Sequence, residues 1–171
     1  MNRLAKAALA AAKAIQSEVP KRGAPPEEGL EPTSEQVLAS SLVRRTRGYI
    51  EKTVNQINGC YESGYFDACA VMIRRLVETL IIEAYEHKGV AERIKNSNDE
   101  FFPLSDLIDK ILSEKMWNLS RNTKSALRDL KRTGDLSAHN RRYTAYRSDI
   151  DKVLNDLRVA TQELITIAGL K

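Results

Sequence analysis

The residues with the clearest capacity for chemistry lie together in the last third of the chain. Asp135 and His139 are four residues apart, which is one turn of a helix, and Arg132, Arg141 and Arg142 flank them. Histidine exchanges protons near neutral pH, a carboxylate can orient its ring, and arginine can stabilise the developing charge of a phosphate. This combination can cleave a phosphodiester without a metal. The alternative is a solvated basic face with a structural histidine.

Positive charge is concentrated around these residues. Residues 120–147 carry a net charge of +6, whereas the whole chain carries only +4, so the remainder is slightly acidic. Spacings of three, four and three place the first four cations on one helical stripe. The side chains predicted to contact nucleic acid are Arg121, Lys124, Arg128, Lys131, Arg141 and Arg142. Such a local excess favours an anionic ligand, most directly a nucleic-acid backbone.

The element that positions these residues is predicted to be a helix from about Ser120 to Thr133. Gly134 is expected to end it in the left-handed conformation, and Asp135 to cap the turn that follows. His139 can then meet Asp135 if that turn is helical. Two further residues, Arg74 and Glu78, are expected to form an ion pair that fixes packing, unless an arginine of that helix reaches the His139 cleft.

Every other periodic segment is also helical. Apolar residues recur at intervals of three and four over 42–61, 66–84, 107–112 and 150–168, and Thr33 is expected to cap the first helix. No segment alternates as a strand does. The sequence therefore predicts an all-α fold, an antiparallel bundle of four to five helices with an N-terminal helical arm. The helix over 66–87 has more apolar circumference than one bundle face requires, which predicts a homodimer.

The composition divides the chain into three regions. Residues 1–16 are predicted to form an amphipathic helical arm that can recruit a protein partner, although an interrupted secretion signal or an organellar transit peptide stays open. Residues 17–32 contain four prolines and two glycines and are predicted to be a linker. Residues 33–171 are predicted to form the bundle.

Composition also narrows the classes of function. Cys60 and Cys69 form neither a disulfide framework nor a metal-ligand pattern, so we expect buried reduced thiols, a cytoplasmic location, and no metal or cofactor. No apolar run is long enough to cross a bilayer, so no membrane contact is expected. Phosphate-binding glycine loops and serine nucleophile motifs are absent from the sequence. The aromatic share of 6% disfavours a stacking surface for single-stranded nucleic acid.

Two segments resemble the HEPN superfamily. Residues 61–89 contain an Arg-Arg-Leu-x-Glu core helix, and residues 127–139 contain a Gly-Asp-x-x-Ala-His element before the last helix. They look closest to bacterial domains of unknown function that accompany restriction and abortive-infection systems. The resemblance extends from about Ser34 to the C-terminus.

The resemblance implies an antiparallel helical bundle that dimerises. Active members of the superfamily are metal-independent endoribonucleases in which an arginine, a polar residue and a histidine from each protomer line a shared cleft. Asp135 matches the polar position and His139 the histidine, but Gly134 stands where the arginine belongs. Arg132 or Arg141 would have to replace it. Two functions therefore stay open: an endoribonuclease of a phage-defence or toxin type, and a non-catalytic dimerisation or protein-interaction module.

Overall fold

The structure is a computed structural model that describes residues 5–9, 13 and 29–171. It divides into two compact units, Met1–Leu30 and Glu31–Lys171. In the first unit the described residues 5–9 and 13 are helical. Most of the predicted arm at 1–16 and of the predicted linker at 17–32 lies outside the described residues.

The second unit is built from helices, which confirms the all-α prediction for the described residues. Its only extended pairing is an isolated bridge between Lys95 and Phe101. In chain order the helices are α1 (Ser40–Val43), α2 (Gly48–Glu62), α3 (Phe66–His87), a 3-10 helix (Ala91–Ile94), α4 (Leu104–Ser113), α5 (Arg121–His139), α6 (Arg147–Asp151) and α7 (Leu154–Ile167). None of those in the described residues has the length and apolar character that a bilayer crossing requires.

Helix α3 lies at the centre of the second unit. It packs most extensively against α5 and α2, and it also contacts α4, α6, α7 and the 3-10 helix. Leu76, Leu80 and Ile81 on this helix are fully buried. The wide apolar circumference that predicted a homodimer is thus covered largely by helices of the same chain. The helix ends where Gly89 takes a φ of +68° and the amide of Val90 donates to the carbonyl of Tyr85 at 3.0 Å.

The segment before α1 does not form the helix that Thr33 was predicted to start. Its backbone is held by side chains from other elements instead. Asn58 accepts hydrogen bonds from the amides of Val37 and Leu38, both at 3.1 Å, and Arg158 Nε donates to the carbonyl of Val37 at 2.9 Å. Since these long-range bonds satisfy backbone groups of the buried residues Val37 and Leu38 in an irregular segment, the first helix begins only at Ser40.

The start of α5 agrees with the sequence prediction. Ser120 is the N-cap, and its hydroxyl accepts from the amide of Thr123 at 3.2 Å. Glu163 on α7 accepts from the amide of Ser120 at 2.7 Å, which ties this end of α5 to α7. Leu127 and Leu130 are fully buried, as their spacing predicted. Helix α5 is therefore anchored at one end and along its length.

Candidate nucleic-acid interface

Helix α5 does not end at Gly134. It continues to His139, and Gly134 lies in its interior with an ordinary helical backbone. A Cβ atom on Gly134 would lie 2.5 Å from the Cβ of Arg74 and 3.1 Å from the carbonyl oxygen of Ala70. The prediction that this glycine stops the helix was wrong. Glycine is present because only its missing side chain lets α5 approach α3 so closely.

Asp135 does not cap a turn either, since it lies inside the same helix. Arg74 Nε donates to its Oδ1 at 2.9 Å, and Lys131 Nζ donates to its Oδ2. Burial raises the pKa of Asp135, but the hydrogen bonds from Lys131 and Arg74 outweigh it, so the pKa lies below its ordinary value. The carboxylate is therefore ionised and held between two cations.

Arg74 forms the intrahelical ion pair that the sequence predicted and a second ion pair with α5. Its Nη1 lies 3.5 Å from Glu78 Oε2 in the expected intrahelical pair, while its Nε reaches Asp135 on α5. Arg74 does not itself line the cleft of His139, but it binds Asp135, which does. The main consequence is that Arg74 joins α3 to α5.

The catalytic candidates border one open cleft of about 610 Å³. Its lining residues are Arg128, Lys131, Arg132, Asp135, Leu136, His139, Asn140 and Arg141. Arg132 and His139 are seven residues apart on one continuous helix, so they share a face and are separated by about 10 Å along the axis. Asp135 and His139 are one turn apart, as anticipated, yet no hydrogen bond joins them in the described structure. Within residues 29–171, no carboxylate accepts a hydrogen bond from the imidazole of His139.

Most of the predicted nucleic-acid contacts, together with Arg132, are exposed cations of α5 and of the loop that follows it, and we call this set the basic face. It consists of Arg121, Lys124, Arg128, Arg132, Arg141 and Arg142, all of which are exposed. Within residues 29–171 none of these six side chains has an acidic oxygen within 4.0 Å. Lys131 differs, because it is half-buried and paired with Asp135. The basic face therefore has six cations available to a ligand.

The last two arginines of the basic face stand in the short loop 140–146. Asn140 orders the loop by accepting from the amide of Arg142 at 3.0 Å through its side chain, and from the amide of Tyr143 at 3.0 Å through its carbonyl. Further on, the amide of Ala145 donates to Asp67 Oδ1 at 2.9 Å in the first turn of α3. These bonds fix the course of the loop beside the cleft.

Two exposed tyrosines, one at the end of this loop and one before α3, were not predicted as site residues. Tyr146 is 68% exposed and Tyr65, which precedes α3, is 67% exposed. The low aromatic share of the chain gave no reason to expect exposed rings here. The sequence offered one signal for an exposed ring, which is the position of Tyr146. It follows Arg141 and Arg142 closely and belongs to the apolar stripe of neither flanking helix.

Comparison with protein-family models, curated proteins and solved structures gave no match to this chain. In the residues that the structure describes, no three His, Cys, Asp or Glu side chains cluster closely enough to hold a metal ion.

Proposed function

We propose that this chain is a HEPN-like helical bundle domain that binds RNA through the basic face. The observation that carries the proposal is the six exposed cations, which have no acidic partner in residues 29–171. Unpaired cations on one face attract a polyanion and release its counterions on binding. The rest of the chain is slightly acidic, so the attraction is confined to this face.

The arrangement of the basic face suits a phosphate backbone. Arg121, Arg128 and Arg132 follow one another at intervals of seven and four residues, which aligns them along the solvent side of α5. The loop arginines extend that line past the end of the helix. Asp135 does not oppose it, because Arg74 and Lys131 already neutralise that carboxylate. A row of cations separated by helical turns can contact successive phosphates.

Binding without cleavage is the function that this geometry supports best. A general acid or base needs an orienting partner, whereas the Asp135 carboxylate is engaged by two cations. The close contact at Gly134 leaves no room for the arginine of the active superfamily members. The non-catalytic interaction module is thus favoured over the ribonuclease.

A metal-independent endoribonuclease of a defence or toxin type is the second candidate, and one observation favours it. Arg132 and His139 line the same cleft on the same face of α5. About 10 Å of helix axis separates them, and the resemblance implies a cleft that two protomers share. This candidate therefore requires a second protomer that completes the cleft.

The proposal includes a homodimer, and only the resemblance supports it. The apolar circumference of α3 no longer does, because helices of the same chain cover it. We expect a dimer at micromolar concentration. Light scattering checks this against the monomer mass of 19.2 kDa. A monomer across that concentration range would contradict the dimer and with it the ribonuclease candidate, but not RNA binding.

The binding proposal is tested with fluorescence anisotropy on a labelled single-stranded RNA at several salt concentrations. Replacing Arg141 and Arg142 by alanine should weaken binding and flatten the salt dependence by about 0.7 for each lost phosphate contact on a single strand. The matched control replaces Arg44 and Lys52, two exposed cations outside the basic face, and removes the same charge. Equal effects of both pairs, or no binding by the wild type at low salt, would refute a localised RNA site.

A further inference from the structure

Two aromatic rings stand out on the surface of the second unit. All ten aromatic residues of the chain are described, and Tyr65 and Tyr146 are the most exposed of them, at 67% and 68%. Most of the others are buried or half-buried, as Tyr85 and Trp117 are in the core, where their rings pack edge to face at 4.7 Å. A ring exposed to this extent forgoes about 1 kcal/mol or more of burial energy. It is therefore available to a ligand.

The fold brings these two tyrosines to one place. Tyr65 immediately precedes α3, and Tyr146 immediately follows Ala145, whose amide donates to Asp67 two residues beyond Tyr65. Both tyrosines also have fixed backbones. The amide of Tyr65 donates to the carbonyl of Cys60 at 2.8 Å, and that of Tyr146 donates to Asp149 Oδ2 at 3.0 Å. The two exposed rings are thus held on ordered backbone at the same end of α3.

This aromatic pair continues the basic face. The loop that ends at Tyr146 begins beside His139 and carries Arg141 and Arg142, both exposed. Between them and Tyr146 lies Tyr143, which is half-buried. Cations and rings therefore follow each other along one loop.

The acidic residues at this end have hydrogen-bond partners within the fold. Asp67 accepts from the Ala145 amide, and Asp149 accepts from the Tyr146 amide. Asp151 accepts from the Tyr61 hydroxyl and lies 3.7 Å from Arg147 Nε. The guanidinium of Arg147 also stacks over the ring of Tyr61 at 5.4 Å. Each of these three acids therefore already has a partner within the fold.

We infer that Tyr65 and Tyr146 stack on the bases of a single-stranded RNA whose phosphates lie on the basic face. The inference rests on the proposed function and names the form of its ligand. Bases in a duplex are stacked on each other and present no free face, whereas a single strand offers every base to an exposed ring. The low aromatic share of the chain disfavoured a stacking surface, but two exposed rings at one place are enough to form one.

The experiment compares three labelled probes of equal length: a single-stranded RNA, an RNA duplex and a strand of the same backbone without bases. Tyr65→Ala and Tyr146→Ala should each weaken single-strand binding by about five- to a hundredfold. The slope of affinity against salt should stay unchanged, because stacking releases no counterions. Binding of the duplex and of the base-free strand should not change.

Two controls separate stacking from folding. Tyr65→Phe and Tyr146→Phe keep the ring and should bind like the wild type, and Phe101→Ala removes an exposed ring far along the chain from this loop and should also leave binding unchanged. If both alanine variants bind the single strand within twofold of the wild type while the Arg141 and Arg142 substitutions weaken it, the stacking inference fails and the proposed function stands. If no probe binds, the proposed function fails as well.

Discussion

Gly134 on α5 faces Arg74 on α3 so closely that a Cβ atom on the glycine would lie 2.5 Å from the Cβ of the arginine. This contact explains why α5 carries a glycine in its interior at this position. Packing of the two helices requires a residue without a side chain. The same contact brings Arg74 within reach of Asp135, the next residue of α5.

Replacing Gly134 by alanine is therefore expected to destabilise the protein. Alanine ordinarily stabilises a helix interior by about 1 kcal/mol relative to glycine, but overpacking costs about 1–3 kcal/mol. The nearest atom of Arg74 is its Cβ rather than a flexible tip, so the helices must move apart. Urea denaturation should show a net loss of stability.

Gly59 provides the matched control for that substitution. It lies in the last turn of α2, and a Cβ atom there would meet nothing within 4 Å. Gly59→Ala should therefore raise the free energy of unfolding by about 0.5–1 kcal/mol. If Gly134→Ala stabilises the protein as Gly59→Ala does, the close approach of α3 and α5 is wrong.

Asp135→Asn should reduce stability at neutral pH by about 1–3 kcal/mol, since it removes a charged acceptor from two half-buried donors. The pKa of Asp135 lies below its ordinary value of 3.8, so the carboxylate stabilises the fold above that pH. This contribution is lost as the pH falls through 3.8 and below. In thermal melts from pH 7 to pH 3, the melting temperatures of the wild type and of Asp135→Asn should converge. Asp99→Asn, in an exposed ion pair, should change little.

The two cysteines should differ in reactivity. Burial raises the pKa of both thiols, to about 12 for Cys69, which is fully buried, whereas Cys60 is only half-buried. Because the thiolate is the reactive form, a disulfide reagent at pH 8 should modify Cys60 in the folded protein and Cys69 only after unfolding. Counting modified thiols with and without guanidinium measures this. Two thiols that react rapidly in the folded protein would contradict the burial of Cys69.

The helices were predictable because their signals are local. Apolar spacing over a few turns marked α3 and the core side of α5, and Ser120 marked the start of α5. These features depend on residues within one or two turns of each other, which periodicity and capping preferences describe directly. The all-α fold follows from the same local patterns.

For the site, the sequence predicted which residues take part but not how they contact each other. Gly134 has the same local appearance whether it ends a helix or admits a neighbouring one, and the choice depends on Ala70 and Arg74, about sixty residues away. Likewise, Asp135 could have turned to His139, but Arg74 on another helix binds it. Such choices are made by tertiary packing, which a single sequence does not specify.

Substitution of His139 separates the two candidate functions. His139→Ala should leave RNA binding nearly unchanged, because the cations of the basic face supply the attraction. If the protein is a ribonuclease, the same substitution should lower cleavage by about a hundredfold or more, as expected for a lost proton-transfer group. The assay follows a labelled single-stranded RNA in the presence of a chelator. His87→Ala is the matched control, because it removes the other histidine of the chain from a surface outside the cleft.

We expect the wild type to bind RNA without cleaving it, since Asp135 is engaged by Arg74 and Lys131. Cleavage by the wild type that His139→Ala abolishes and His87→Ala preserves would overturn the binding-module proposal in favour of the nuclease.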